Sequence, residues 1–261
     1  EKITTGRSEN KFGIDLAIAR DVFLRGKDLP NINLLSIAVH IGSQLTNLEP
    51  YEIAYSRVAK LVKELRTDGL NITNLDLGGG LGINYNQEII PTPKAYSEMV
   101  SKVVEGLNCN IVFEPGRWIV GNSGILVTRV TFMKKGIDRD FCIVDGAMND
   151  LVRPTLYNAY HKISKVSKSK NVNKKILMDI VGPICESGDY FAQNRKMPPL
   201  IAGDLLAIHS AGAYGAVMSS FYNSRPIIPE IMVKGKNFSI IRKRITVEDM
   251  INWEHFPDWA S

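Results

Sequence analysis

Three short apolar runs, each preceded by a helical stripe and each ending in polar or glycine-rich sequence, limit what this chain can fold into. The runs are Leu34 to Gly42 (LLSIAVHIG), Leu75 to Gly80 (LDLGGG) and Ile111 to Gly116 (IVFEPG). Before them lie Phe12 to Leu24, Pro50 to Leu65 and Tyr96 to Leu107, whose apolar residues recur at helical spacing. Ala54, Val58, Leu61, Val62 and Leu65, for instance, share one stripe. Helix and strand alternating at this rhythm predict βα crossovers and parallel strands buried between helices.

The texture changes near Ile125. From there on, apolar runs broken by turns predict strands at Leu126 to Met133, Phe141 to Asp145, Lys175 to Val181, Asp204 to Ser210, Pro229 to Val233 and Ser239 to Arg244. Few convincing helices separate them, so the second part reads as a mostly antiparallel β domain of barrel or Greek-key type. The expected domains are residues 1–122, an α/β part, and residues 123–261, an all-β part.

The parallel strands finish in unusual chemistry: His40-Ile41-Gly42-Ser43-Gln44, then Gly78-Gly79-Gly80-Leu81-Gly82, then Glu114-Pro115-Gly116-Arg117. In parallel βα folds the carboxyl ends of the strands form the ligand face. A lone histidine there is more often structural, three glycines can be only a tight turn, and Glu114 with Arg117 can be a surface ion pair. Found together at successive strand ends, they predict one site, with Glu114 buried and the glycine amides free to hold an anion.

The β domain has its own cluster. A lone cysteine is usually inert and buried, but Cys185 sits in Cys185-Glu186-Ser187-Gly188-Asp189, where flanking charge and glycine suit a reactive thiol. Arg153 and Tyr157 are spaced for one face of a helix opened by Pro154. Tyr214, among small residues in Ala211-Gly212-Ala213-Tyr214-Gly215, is expected to protrude toward a ligand.

Composition removes other classes. Of 261 residues, 44% are hydrophobic and 23% charged, an ordinary globular balance. No run approaches the ~18 apolar residues of a membrane helix, so no membrane partner is expected. The net charge of +5 gathers partly in Lys162 to Lys175, read as a solvated loop, and in Arg242-Lys243-Arg244, read as a surface strand. Neither carries interleaved aromatics, which argues against nucleic acid. Three cysteines, Cys109, Cys142 and Cys185, lack metal-ligand spacing and suit a reducing cytoplasm. The segment from Glu1 to Gly6 has neither an initiator methionine nor the apolar core of a signal peptide.

ENKFGI (Glu9 to Ile14), HIGSQ, LDLGGGLGI, EPGR, DGAMNDLVRPTLYNAYH, GPICESGD and AGAYGAVMSSFYNSRP occur in that order. Through them the chain resembles the diaminopimelate decarboxylase family, pyridoxal-phosphate enzymes that pair an alanine-racemase-like barrel with a β domain. The resemblance implies that His40, Ser43, Gly78, Gly79, Gly80, Glu114, Gly116, Arg117 and Tyr214 bind pyridoxal 5'-phosphate, Glu114 pairing with the pyridine nitrogen. It implies substrate contacts from Arg117, Arg153, Tyr157, Glu186 and Tyr214, and makes Cys185 the acid that reprotonates the α-carbon. It also implies a homodimer, because in relatives Cys185 and Glu186 reach the partner subunit's site. Discriminating diaminopimelate from lysine or ornithine needs a cation for the distal carboxylate and an anion for the distal ammonium, which Arg117, Arg153 and Glu186 can supply.

One element of the family pattern is missing. The lysine that carries the cofactor belongs upstream of these motifs, and no lysine here has a YAVKAN-like context. About three of the eight strands of a (β/α)₈ barrel are found. The expectation is a C-terminal portion of a decarboxylase that alone neither closes a barrel nor turns over substrate, with an open sheet edge and exposed apolar faces. Two alternatives stay open: an inactive truncated homologue serving as a binding or dimerisation module, and a related ornithine or arginine decarboxylase.

Overall fold

The computed structural model describes residues 11–167 and 174–260. Glu9 and Asn10 of the first motif, the segment Glu1 to Gly6 and part of the Lys162–Lys175 stretch lie outside the described residues. The chain divides into two compact units, the first ending at Gly121 and the second starting at Asn122.

The first unit alternates α1 (Leu16–Lys27), β1 (Ser36–Ala38), α2 (Glu49–Thr67), β2 (Asn74–Asp76), α3 (Pro93–Val104), β3 (Asn110–Val112) and the short α4 (Gly116–Val120). The three strands form a parallel sheet in the order β1-β2-β3. Helix starts are set by caps as well as by apolar spacing. Asp15 accepts from the Ala17 amide, so α1 begins after Phe12 and Ile14, which stay exposed. Thr92 likewise starts α3 earlier than the apolar pattern indicates. The core is the inner face of α2 (Tyr51, Tyr55, Val58, Val62, Leu65) packed on Leu75, Leu77, Ile72, Tyr96 and Leu107.

The sheet is less enclosed than expected. Only Ile37 of β1 is buried, and β3 has no fully buried residue. Among the described residues β1 and β3 are both edges, and Val112, Phe113 and Ile119 are exposed. The expectation of an open edge with exposed apolar side chains is met.

The second unit carries β4 (Leu126–Lys134), β5 (Asp140–Val144), α5 (Arg153–Tyr157), β6 (Ile163–Lys165), β7 (Ile176–Val181), β8 (Tyr190–Met197) and β9 (Leu205–Ile208). Six strands in the order β6-β9-β4-β5-β7-β8 form a nearly closed barrel, antiparallel except for β5 beside β7. Its two edges are tied by one side chain: Arg195 of β8 donates to the carbonyl of His161, just before β6, and lies 4.0 Å over the Tyr160 ring. A hairpin of β10 (Glu230–Lys234) and β11 (Asn237–Arg242) follows, then α6 (Val247–Ile251).

β6 and β8 are not among the strands predicted from sequence. β6 lies within the stretch read as a loop, and its Lys165 is held by Asp204 at 2.7 Å. β8 (YFAQNRKM) is too polar to read as a strand, but its Phe191, Ala192 and Met197 are buried.

Candidate active site

Register brings the three strand ends of the first unit level. Ala38, Asp76 and Val112 form one row across the sheet. Two residues beyond that row on each strand stand His40, Gly78 and Glu114. The ladder continues past the strands: Val39 N donates to Asp76 O, Leu77 N to Val112 O and Glu114 N to Gly78 O. The chemistry-bearing residues therefore share one edge of the sheet.

The glycines are dictated largely by this close approach. A Cβ at Gly79 would stand 2.1 Å from the Glu114 carbonyl oxygen, so no other residue fits between these strand ends. Two of the three amides are used internally, Gly78 N by Asp76 Oδ1 at 2.8 Å and Gly79 N by His40 Nδ1 at 3.3 Å. Gly116 is different, with no atom within 4 Å of where its Cβ would stand. That position faces open space.

Arg117, buried at the start of α4, closes the arrangement. It donates to Ser43 Oγ at 3.0 Å and to Tyr85 Oη at 2.7 Å, joining the loops after β1, β2 and β3. Gln44 adds a two-way clasp, Nε2 to Ile83 O at 2.7 Å and Ile83 N to Oε1 at 3.1 Å. Beneath the glycines, Tyr55 donates to Leu77 O at 2.8 Å and meets Tyr96 Oη at 2.9 Å, while Tyr51 reaches Gly79 O at 3.3 Å. Burial pushes the phenols of Tyr51 and Tyr55 up, so both stay neutral hydrogen-bonding groups.

Glu114 is exposed, which corrects the expectation of a buried carboxylate. It follows an edge strand, and no described strand covers it from beyond β3. His40 is exposed as well, and Ser43 is half-buried.

In the second unit, the loop after β7 presents Cys185 and Glu186 to solvent. Glu186 accepts a 2.5 Å hydrogen bond from Tyr222, and this contact raises the Tyr222 phenol above its usual range. The loop is pinned from below by Asp189, whose carboxylate accepts from Met148 N at 2.7 Å and Ile184 N at 2.8 Å. Burial pushes the Asp189 carboxyl up, against the pull of those amides. Thr155 of α5 donates to Gly188 O at 2.6 Å, so Arg153 and Tyr157 share a framework with this loop. Arg153 is buried and Tyr157 half-buried. Tyr214 is 42% exposed and held at φ +56°, a left-handed conformation uncommon for an aromatic residue.

Gln44 and Asp189 belong to the clusters named from sequence without a role of their own, while Tyr51, Tyr55, Tyr85, His161 and Tyr222 are not predicted there as site or supporting residues. Tyr51 and Tyr55 had a readable signal, since their spacing of four puts them on the stripe of α2 that faces the core. Tyr85 and Tyr222 had none, being brought in by loops. Among the described residues, no three His, Cys, Asp or Glu side chains gather to hold a metal.

Residues 19–212 match the family model described as "Pyridoxal-dependent decarboxylase, C-terminal sheet domain". The chain belongs to this family of pyridoxal-dependent decarboxylases. Its relatives include the diaminopimelate decarboxylase of Zymomonas mobilis, 46% identical over 99% of this chain and 61% of that protein. The diaminopimelate decarboxylase of Pseudomonas fluorescens is 46% identical over 97% of this chain and 60% of its own length. Among solved structures, diaminopimelate decarboxylase from Helicobacter pylori complexed with L-lysine superposes with a TM-score of 0.91 at 40% identity, covering 97% of this chain and 62% of that one. The chain thus spans about 60% of the length of the relatives it matches.

Proposed function

We propose that this chain contributes the cofactor-phosphate and substrate-binding machinery of a decarboxylase that converts meso-2,6-diaminopimelate to L-lysine and carbon dioxide. The observation that carries the reading is the common row of His40, Gly78 and Glu114, closed by the contact of Arg117 with Ser43. In this reading residues 1–122 are part of a cofactor-binding (β/α)₈ barrel and residues 123–261 are its β domain.

The donor set fits pyridoxal phosphate. A buried guanidinium beside a hydroxyl suits a phosphate dianion, and the open space at Gly116 lets a ligand approach backbone. Ser43, Gly80, Gly116 and Arg117 hold the phosphate, Gly78 and Gly79 shape the turn, and His40, Glu114 and Tyr214 contact the remainder. When bound, the cofactor supplies an electron sink for the pair left as carbon dioxide departs, and Glu114 keeps the pyridine nitrogen protonated. Arg153 and Tyr157 bind the substrate's distal carboxylate and Glu186 its distal ammonium. A substrate lacking the distal carboxylate would leave buried Arg153 without that anion, which discriminates against ornithine. Cys185, exposed at its loop tip, delivers its Sγ proton to the α-carbon, and the thiolate is reprotonated from solvent. The Cys185–Glu186 loop serves the partner subunit of a homodimer. Unpaired thiols suit a cytoplasmic setting.

The test is a substrate panel on the protein expressed from its complete gene and loaded with pyridoxal phosphate. Lysine formed from diaminopimelate, with no product from ornithine or arginine, is expected. Turnover of ornithine alone, or of none of the three, contradicts the reading.

A further inference from the structure

Arg153 meets a histidine whose hydrogen-bonding state the surrounding atoms fix. His161 is fully buried, at 0% exposure. Its Nε2 lies 2.8 Å from Arg153 Nη1 and its Nδ1 lies 2.8 Å from the carbonyl oxygen of His209. A guanidinium in a protein can only donate, and a carbonyl can only accept. Nε2 must therefore be the lone-pair nitrogen and Nδ1 must carry the proton. The imidazolium form would turn a donor toward a donor.

Both ends of this relay are anchored. The His209 carbonyl follows β9, which pairs with β6 in the register Ile163↔Ile208. His209 N donates to Lys162 O at 2.8 Å, and the His209 ring meets Ser164 Oγ at 2.8 Å. The His161 backbone is held from the opposite barrel edge by Arg195 at 3.2 Å. At the other end, Arg153 opens α5, a helix of five residues with Pro154 inside its first turn. The His161 imidazole therefore bears directly on the guanidinium at the end of this side chain.

We propose that His161, as the neutral Nδ1–H tautomer, is a positioning residue that aims Arg153 at the substrate's distal carboxylate. The inference rests on the role given to Arg153 above. It assigns specificity for a dicarboxylic diamino acid partly to a side chain that does not touch substrate.

The experiment uses the complete, cofactor-loaded enzyme with Arg153→Ala, His161→Leu and His161→Gln, the last keeping an acceptor near the place of Nε2. Three quantities are measured: KM and kcat for diaminopimelate, and the dissociation constant of cadaverine, the five-carbon diamine that lacks the distal carboxylate. His161→Leu is expected to raise KM about tenfold, with kcat and cadaverine affinity within about twofold and partial recovery in His161→Gln. If Arg153→Ala leaves KM unchanged, the role of Arg153 itself fails. If Arg153→Ala raises KM and His161→Leu does not, or if His161→Leu weakens cadaverine equally, the positioning role alone is overturned. Neutron diffraction from deuterated wild-type crystals keeps the test open if His161→Leu does not fold. Deuterium on Nδ1 and none on Nε2 is expected, and the reverse overturns the proposal.

Discussion

The guanidinium of Arg117 donates to Ser43 Oγ at 3.0 Å, joining the ends of two strands whose residues lie 74 positions apart in sequence. Tyr85 Oη, at 2.7 Å, brings the loop after the middle strand to the same group. One buried cation thus organises three loops, and a dianion placed among them gains both a charge partner and preset hydrogen bonds. Hydrogen bonds to charged groups contribute about 1.5–3 kcal/mol each. Arg117→Ala is expected to weaken pyridoxal phosphate binding by roughly ten- to a hundredfold, read by absorbance titration. Unchanged affinity would remove Arg117 from the phosphate site.

The tyrosines of α2 act from below. Tyr55 satisfies the carbonyl of Leu77, immediately before the glycines, in a buried setting. Tyr55→Phe would leave that oxygen and the Tyr96 hydroxyl each short of a hydrogen bond, at a cost of about 1–3 kcal/mol. Chemical denaturation should show that loss, whereas Tyr51→Phe, whose contact is 3.3 Å long, should cost less.

Asp189 sets a pH dependence. Burial raises its carboxyl above the unfolded value, and the amides of Ile184 and Met148 offset this only in part. Between the unfolded and folded pKa the native state binds more protons, so stability from this group is present at low pH and falls as pH rises through the folded value. Asp189→Asn should flatten that part of the stability–pH curve. It should also destabilise the loop, because a carboxamide NH₂ would face one of the two backbone N–H groups. A steeper curve in the variant would contradict the assignment.

The three thiols should separate under native alkylation. Cys185 is exposed, Cys109 half-buried and Cys142 buried, with burial and then the nearby Asp204 charge pushing the Cys142 thiol up to about 12. Mass spectrometry after limited maleimide treatment should find Cys185 modified first and Cys142 last. Early modification of Cys142 would show that the β5 core opens readily.

How much of this could be read from the residues alone depended on the range of the interaction. The βα rhythm and the polar strand ends were legible because period and glycine are local signals. Parallel pairing then brought His40, Gly78 and Glu114 to one row. The exposure of Glu114 was not legible, since it follows from β3 lying at a sheet edge, a property of its neighbours rather than of IVFEPG. β8 was hidden because its buried residues are interrupted by Gln193, Asn194, Arg195 and Lys196. His161 reads as one more polar residue in NAYH, and only the fold brings Arg153 and the His209 carbonyl to its two nitrogens.

The cofactor site is tested most directly by the crystal structure of the complete protein with pyridoxal phosphate bound. The phosphate is expected within hydrogen-bonding distance of Ser43 Oγ, the Gly80 amide and the Arg117 guanidinium, with the pyridine nitrogen at the Glu114 carboxylate. A phosphate bound away from the row of His40, Gly78 and Glu114 would contradict it.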